Sequence, residues 1–252
     1  MARAKTSRLR ARVRATHVVG AALLVLLTLL GAWRLSNSRT FQVFGKLVAE
    51  RPCNERLVAL TLDDGPTELG TQPLLELLAR HGVPATFFLV GRELEEFPEL
   101  GRRIVLAGHQ LGNHSYTHSR LLLRPISFIR HEIEATDAAI RAAGFAGEIL
   151  FRPPYGKKLL GLPWFLWRTG RTTLMCNLEP ESAAGVGPTE QDQVSYVLDQ
   201  VTPGSILLLH AMIDPAGFEK RVLAQVLPAL QARGYRWVTV AELLARCPAP
   251  PE

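Results

Sequence analysis

The sequence predicts an α/β fold, a seven-unit (β/α) barrel preceded by one N-terminal transmembrane helix. Three observations carry that expectation. An uncharged apolar stretch near the N-terminus follows a run of basic residues. Beyond it, short apolar runs alternate with amphipathic segments of helical length, the pattern of a parallel sheet with helices outside. The chain has 252 residues, and α/β barrels of about 200–250 residues are usually single domains. An open doubly wound sheet is the competing arrangement of the same units. No glycine-rich G-x-G-x-x-G or P-loop pattern follows a strand, which weighs against a dinucleotide or nucleoside triphosphate site.

The elements follow in chain order. Residues 1–40 hold eight basic residues and no acid. Without those eight, the 29 basic residues become 21 against 23 acidic ones, so the rest of the chain has no basic excess that would suit nucleic acid. Arg14 and Arg34 bracket 19 residues without a formal charge. As a helix they would span about 28 Å, close to the roughly 30 Å hydrocarbon core. Six basic residues precede the stretch, which predicts a cytoplasmic N-terminus and an exported C-terminal part. A cleaved signal peptide is the competing reading, and Leu30-Gly31-Ala32 is a poor cleavage site for it. The expected boundaries are a basic cytoplasmic tail at 1–16, a transmembrane signal anchor at 17–34, a juxtamembrane connector at 35–54, one domain at 55–247 and a tail at 248–252. This places a single-pass protein in the cytoplasmic (inner) membrane, with its domain facing the periplasm or the cell exterior.

Strands are expected at Leu57–Leu62, Ala85–Val90, Gln110–Asn113, Ile149–Arg152, Thr172–Leu178, Ser205–His210 and Trp237–Val240. Helices are expected between them, at Gln72–His81, Pro98–Ala107, Ile126–Ala143, Lys157–Thr169, Thr189–Val201 and Glu219–Arg233, with a last one at Ala241–Arg246. Thr189 precedes Asp192 by three and Thr239 precedes Glu242 by three, the spacing of a capping box. Gly82, Gly108, Gly144 and Gly234 stand where helices should stop. Cys53 lies just before the first strand of the domain and Cys247 after its last helix. An oxidising compartment permits a disulfide between them, with free thiols as the alternative. Cys176 reads as a small core residue.

In parallel α/β folds the carboxyl ends of the strands carry chemistry, and here those ends are polar. The first runs into Asp63-Asp64-Gly65-Pro66, the third into His114-Ser115-Tyr116-Thr117-His118, the fourth into Arg152-Pro153-Pro154-Tyr155-Gly156, and the sixth into His210. Taken singly, each has a plain structural reading: a turn, a surface pair, a satisfied core histidine. Taken together they would converge on one mouth. Two imidazoles spaced i, i+4 plus a carboxylate make a three-ligand set with an open position, the pattern of a catalytic zinc site. Adjacent carboxylates allow one to ligate and the other to act as a base, and a histidine from another strand can serve as acid.

These segments resemble, in order, the motifs of the polysaccharide deacetylases of carbohydrate esterase family four. Thr61–Pro66 resembles the first motif, His114–His118 the second, Arg152–Gly156 the third and Leu208-Leu209-His210 the fifth. The resemblance covers roughly 55–245. It implies a distorted (β/α)7-type barrel and metal-dependent hydrolysis of N-acetyl, or O-acetyl, groups on a cell-envelope polysaccharide or oligosaccharide. It further implies a divalent metal, zinc, on Asp64, His114 and His118, and Asp63 as general base supported by Arg152. The backbone N–H of Tyr155 would stabilise the oxyanion, His210 would be the general acid, and Pro154, Tyr155 and Leu208 would contact substrate. The fourth motif departs from the family pattern Trp-x-x-Asp-Pro-x-Asp-Trp, reading Cys176-Asn177-Leu178-Glu179-Pro180-Glu181-Ser182-Ala183. Glu179 stands at the first aspartate, which implies a place for it in the charge network of the site. Two rival functions stay open: a non-catalytic envelope carbohydrate-binding protein, and a metal hydrolase acting on another amide or ester. Aromatic residues are scarce, and Tyr116, Tyr155, Trp164 and Trp167 are the candidates for sugar stacking. His109 reads as a hydrogen-bonded structural residue.

Overall fold

The structure is a computed structural model and describes residues 2–248, leaving out the side chains of residues 2–16 and of Val18. The chain divides after Ser38 into two compact units. The first contains one helix, α1 (Ala2–Asn37). Its Val19–Asn37 stretch is long and apolar enough to cross a membrane, with a mean hydropathy of 1.8. Its leucines at 23, 24, 26, 27, 29 and 30 are exposed. The side chains of the basic tail, and residues 249–252 of the expected C-terminal tail, lie outside the described residues.

The second unit is α/β and its ladders are parallel. In chain order its elements are β1 (Leu47–Val48), β2 (Leu57–Asp63), α2 (Glu68–His81), β3 (Thr86–Leu89), α3 (Gly91–Glu96), α4 (Pro98–Leu106), β4 (Gln110–Asn113) and α5 (Ile126–Ala142). They continue with α6 (Gly161–Arg168), β5 (Thr173–Leu174), α7 (Glu190–Gln200), β6 (Ser205–Leu209), α8 (Phe218–Ala232), β7 (Arg236–Val238) and α9 (Val240–Arg246). A 3-10 turn spans Pro154–Gly156.

β2 is the axis. It pairs with β6 on one side; β3 and β7 pair with it as well, and β4 extends beyond β3. All seven residues of β2 are buried, which is why it reads as a continuous apolar run rather than an alternating one. β1 and β5 form a separate two-stranded sheet. Isolated bridges at Asn113–Phe151, Phe151–Thr173 and Leu178–Leu207 link the two sheets. The expected strand at Ile149–Arg152 is therefore a single bridging residue, because Pro153 and Pro154 have no N–H to continue a ladder. The expected strand at Thr172–Leu178 stops at Leu174 and bridges again only at Leu178. Between them the Met175 carbonyl accepts from Arg152 Nη2 at 3.0 Å.

The segment expected as a connector is tied into this unit. Thr173 N–H donates to Lys46 O and Arg51 N–H to Gly204 O, at 2.9 and 2.8 Å. Cys53 and Cys247 are joined as a disulfide. The Thr189–Asp192 capping box forms with both of its hydrogen bonds. Thr239 caps α9 through Glu242 N–H. The four glycines expected at helix ends all have positive φ.

Candidate active site

The polar strand ends do meet. Asp63 closes β2, and Asp64 follows it with φ 66°. The described residues include five non-glycine residues with positive φ, and four of them, Asp64, Ser115, His118 and Tyr155, lie in the first three motifs. Such conformations are costly for residues with a Cβ and persist where surrounding structure holds them, typically at functional sites. Here the holding groups can be named. Asn113 Oδ1 accepts the Ser115 N–H at 2.8 Å, and Asn113 Nδ2 is anchored on α5 through Ile133 O and Asp137. Glu132, fully buried on α5, accepts from the N–H of Tyr116, the N–H of Thr117 and the Thr117 hydroxyl. Sequence reasoning missed Glu132, whose only signal is a charge on the apolar face of a helix.

Arg152 is buried and organises Asp63. Its Nη1 donates to Asp63 Oδ1 at 2.6 Å and to Thr61 Oγ1 at 2.8 Å, and its guanidinium carbon sits 4.3 Å from the Phe88 ring centroid.

His114 Nδ1 lies 2.8 Å from the Arg152 carbonyl. A carbonyl only accepts, so Nδ1 carries a proton, and Nε2 is the nitrogen turned toward the carboxylates. That Nε2 faces Asp63 Oδ2 and Asp64 Oδ1, each at 3.7 Å. His118 Nε2 lies 3.2 Å from Asp64 Oδ1. Burial, then the neighbouring His114, lowers the His118 pKa against the pull of Asp64 and Asp63, which favours the neutral ring. Asp64 Oδ1 is buried and forms no hydrogen bond. Carboxylate and imidazole ligand atoms converging on one another suit a cation. The ligand atoms of Asp64, His114 and His118 lie within 4.8 Å of one another, so this trio fits a metal ion.

His210 follows β6, and its Nδ1 pairs with the Glu181 carboxylate. Burial lowers the His210 pKa, but the Glu181 hydrogen bond and the Asp63 and Glu181 charges outweigh it and raise it to about 9. The site thus holds a buried carboxylate and a protonated imidazole beside a three-ligand set, which is the equipment for moving one proton off water and another onto a leaving group.

Other expected site residues fall as follows. Tyr155 is 55% exposed, and its ring lies 4.7 Å from that of His118. Pro154 and Leu208 are buried. Glu179 pairs with Arg39, so the carboxylate on His210 comes from Glu181, two residues further on. Trp167 stacks on Phe44 at 5.9 Å, and the Tyr116 hydroxyl donates to Glu95.

Residues 50–162 match the family model described as polysaccharide deacetylase. A peptidoglycan-N-acetylglucosamine deacetylase of Bacillus cereus is 34% identical over 196 residues, 76% of this chain and 70% of that protein. The chain belongs to the polysaccharide deacetylase family. A chitooligosaccharide deacetylase of Azorhizobium caulinodans is 32% identical, over 72% of this chain and 91% of that one. Among solved structures, a peptidoglycan N-acetylglucosamine deacetylase superposes with a TM-score of 0.72 at 31% identity, covering 81% of this chain and 95% of that chain. A family pseudoenzyme from Bacillus anthracis matches at a TM-score of 0.69 and 27% identity, over 81% and 70%. Membership of this family of carbohydrate deacetylases gives the α/β fold and the hydrolase class together, and its first three motifs carry the strained residues described above.

Proposed function

We propose that the protein is a zinc-dependent deacetylase that hydrolyses N-acetyl, or O-acetyl, groups of a cell-envelope polysaccharide or oligosaccharide and releases acetate. Its sheets act as a distorted barrel whose mouth is the site. α1 holds it in the cytoplasmic membrane as an uncleaved anchor, with the enzyme on the periplasmic or outer side. The observation that carries the reading is the convergence of Asp63, Asp64, His114, His118 and His210 at the ends of separate strands.

Asp64, His114 and His118 would hold the ion, which when bound supplies Lewis acidity to the acetyl carbonyl and to water. Asp63, fixed by Arg152, takes the proton from the attacking water. The Tyr155 N–H donates to the oxygen that gains charge. His210 gives its proton to the nitrogen as the C–N bond breaks, because an amine leaves badly unprotonated. Pro154 and Leu208 bound the acetyl methyl.

Acetate release from a panel of acetylated glycans, with and without a chelator, tests the whole reading. Asp64→Ala, His114→Ala and His118→Ala should each lower zinc content below the expected value of about one ion per chain. Asp63→Asn and His210→Ala should keep zinc and lose roughly a hundred- to ten-thousandfold in kcat. The His210 loss should be smaller on an O-acetyl ester, whose alkoxide departs more easily. Equal losses on both substrates would remove the leaving-group role, and no release from any glycan by the zinc-loaded protein would leave a non-catalytic binding protein.

A further inference from the structure

A second convergence of ionisable groups lies behind His210. Glu181, His210 and Glu219 bring their ligand atoms within 4.8 Å of one another. Glu219 lies in the first turn of α8 and is 6% exposed. Its backbone N–H donates to Asp214 Oδ2 at 2.8 Å. Its side-chain Oε2 is buried, and no donor reaches it. Lys220, the adjacent cation, is committed elsewhere, with Nζ on the carbonyls of Ala211 and Asp214 at 3.0 Å. The charged groups facing His210 from other elements are Asp63 and Asp64 at the end of β2, and His118 after β4.

Two carboxyl groups this close, one of them buried, do not both ionise. His210 already donates its Nδ1–H to Glu181, which makes Glu181 the anion of the pair. The proton then belongs on Glu219, and the Glu181 carboxylate is the acceptor beside it. We propose that Glu219 is a neutral carboxylic acid that hydrogen-bonds to Glu181 and acts through it as a positioning residue for His210. Burial, followed by the bond to Glu181, pushes the Glu219 carboxyl up to about 9. Burial raises Glu181 too, but the hydrogen bonds from His210 and Glu219 hold it well below the usual carboxylate range.

The role rests on the proposed deacetylase reading for its catalytic consequence, not for its protonation state. With Glu219 neutral, the carboxyl pair carries one negative charge, matched by the single positive charge of the His210 acid. When His210 gives up its proton, Glu181 keeps a charge that has lost its counter-ion, and the Glu219 O–H stabilises it. An ionised Glu219 would instead add a second negative charge and hold the His210 proton back. The benefit falls on proton transfer, so it belongs to kcat rather than KM.

The test uses the full chain in detergent with zinc. Infrared difference spectra between wild type and Glu219→Gln at neutral pH should show the C=O stretch of a protonated carboxyl, lost in the variant. Glu219→Leu should lose roughly tenfold or more in kcat, the scale of one hydrogen bond to a charged group, with KM little changed. Glu219→Gln, which still offers an N–H to Glu181, should restore most of that loss. The proposal is overturned if no protonated-carboxyl band disappears, or if Gln costs as much as Leu. A second metal ion per chain, lost with Glu219, would overturn it as well. The infrared band is independent of turnover: a protein showing it without releasing acetate would sink the deacetylase reading and leave the Glu219 assignment standing. If Glu219→Leu fails to fold, the band and the Gln kinetics still decide.

Discussion

At the scale of single residues, histidines with the same ring chemistry are driven to opposite charge states. His210 is held protonated by Glu181, whereas burial alone lowers His109 to about 4. Nδ1 of His109 accepts the Ala85 N–H at 3.2 Å, and its ring lies 5.1 Å from that of Phe87. A histidine with a folded pKa below its unfolded value binds fewer protons when folded. Its stabilisation is full above about 6.5 and is lost as pH falls towards 4, up to roughly 3 kcal/mol in all. His109→Asn keeps an acceptor for Ala85 and removes the titration. Its urea-unfolding free energy should therefore fall less between pH 6.5 and 4 than that of wild type, and parallel curves would refute the assignment. The sequence already marked His109 as structural. It also showed the four polar strand ends, because each is a short contiguous run whose spacing is visible without a fold. Glu181 and Glu219 were not legible. One lies in the loop after β5 and the other on α8, and a one- or two-residue shift in the register of the fourth motif decides which carboxylate reaches His210 and which pairs with Arg39.

At the scale of elements, α2 is seated directly against the turn that follows His210. The Thr67 hydroxyl accepts the Gly70 N–H at 3.1 Å and donates to the Met212 carbonyl at 2.6 Å. A Cβ on Gly70 would lie 1.8 Å from that same carbonyl oxygen. Gly70→Ala must therefore separate helix from turn, at a cost of roughly 1–3 kcal/mol or more, and it should lower kcat by displacing His210. Gly82→Ala is the comparison: its φ is 62° but the added Cβ meets open space, so it should cost about 1–2 kcal/mol and leave kcat alone. If chemical denaturation shows Gly70→Ala no worse than Gly82→Ala, the contact is not what holds the turn. The central strand was readable because burial on both faces makes it apolar throughout. The segments at 149–152 and 172–178 form less strand than their sequence predicts. Their composition is strand-like, but a proline pair ends one, and in the other the Met175 carbonyl is taken by the Arg152 side chain. Side-chain capture of a ladder acceptor leaves no periodic trace.

At the scale of the whole molecule, the expected domain boundary at 54/55 and the observed division after Ser38 differ because β1 adds a strand pair with β5. A two-residue strand is too short for a periodicity to reveal. The Cys53–Cys247 bond closes a sequence separation of 194 residues. Constraining so long a loop in the unfolded chain should contribute about 2–5 kcal/mol, so reductant or a Cys53→Ser, Cys247→Ser double substitution should lower Tm by roughly 5–15 °C. An unchanged Tm together with three titratable thiols in protein denatured without reductant would show that the bond is absent. The same bond has a consequence of another kind. The Cα atoms of Cys53 and Cys247 are 5.1 Å apart, so the chain between them is a covalent ring. An endoprotease that cuts once in an exposed loop, such as the one around Gly147, opens the ring without releasing a fragment. Both new ends stay tethered to a folded body and can find their places again, so the fold survives the first cut and is dismantled only by the second.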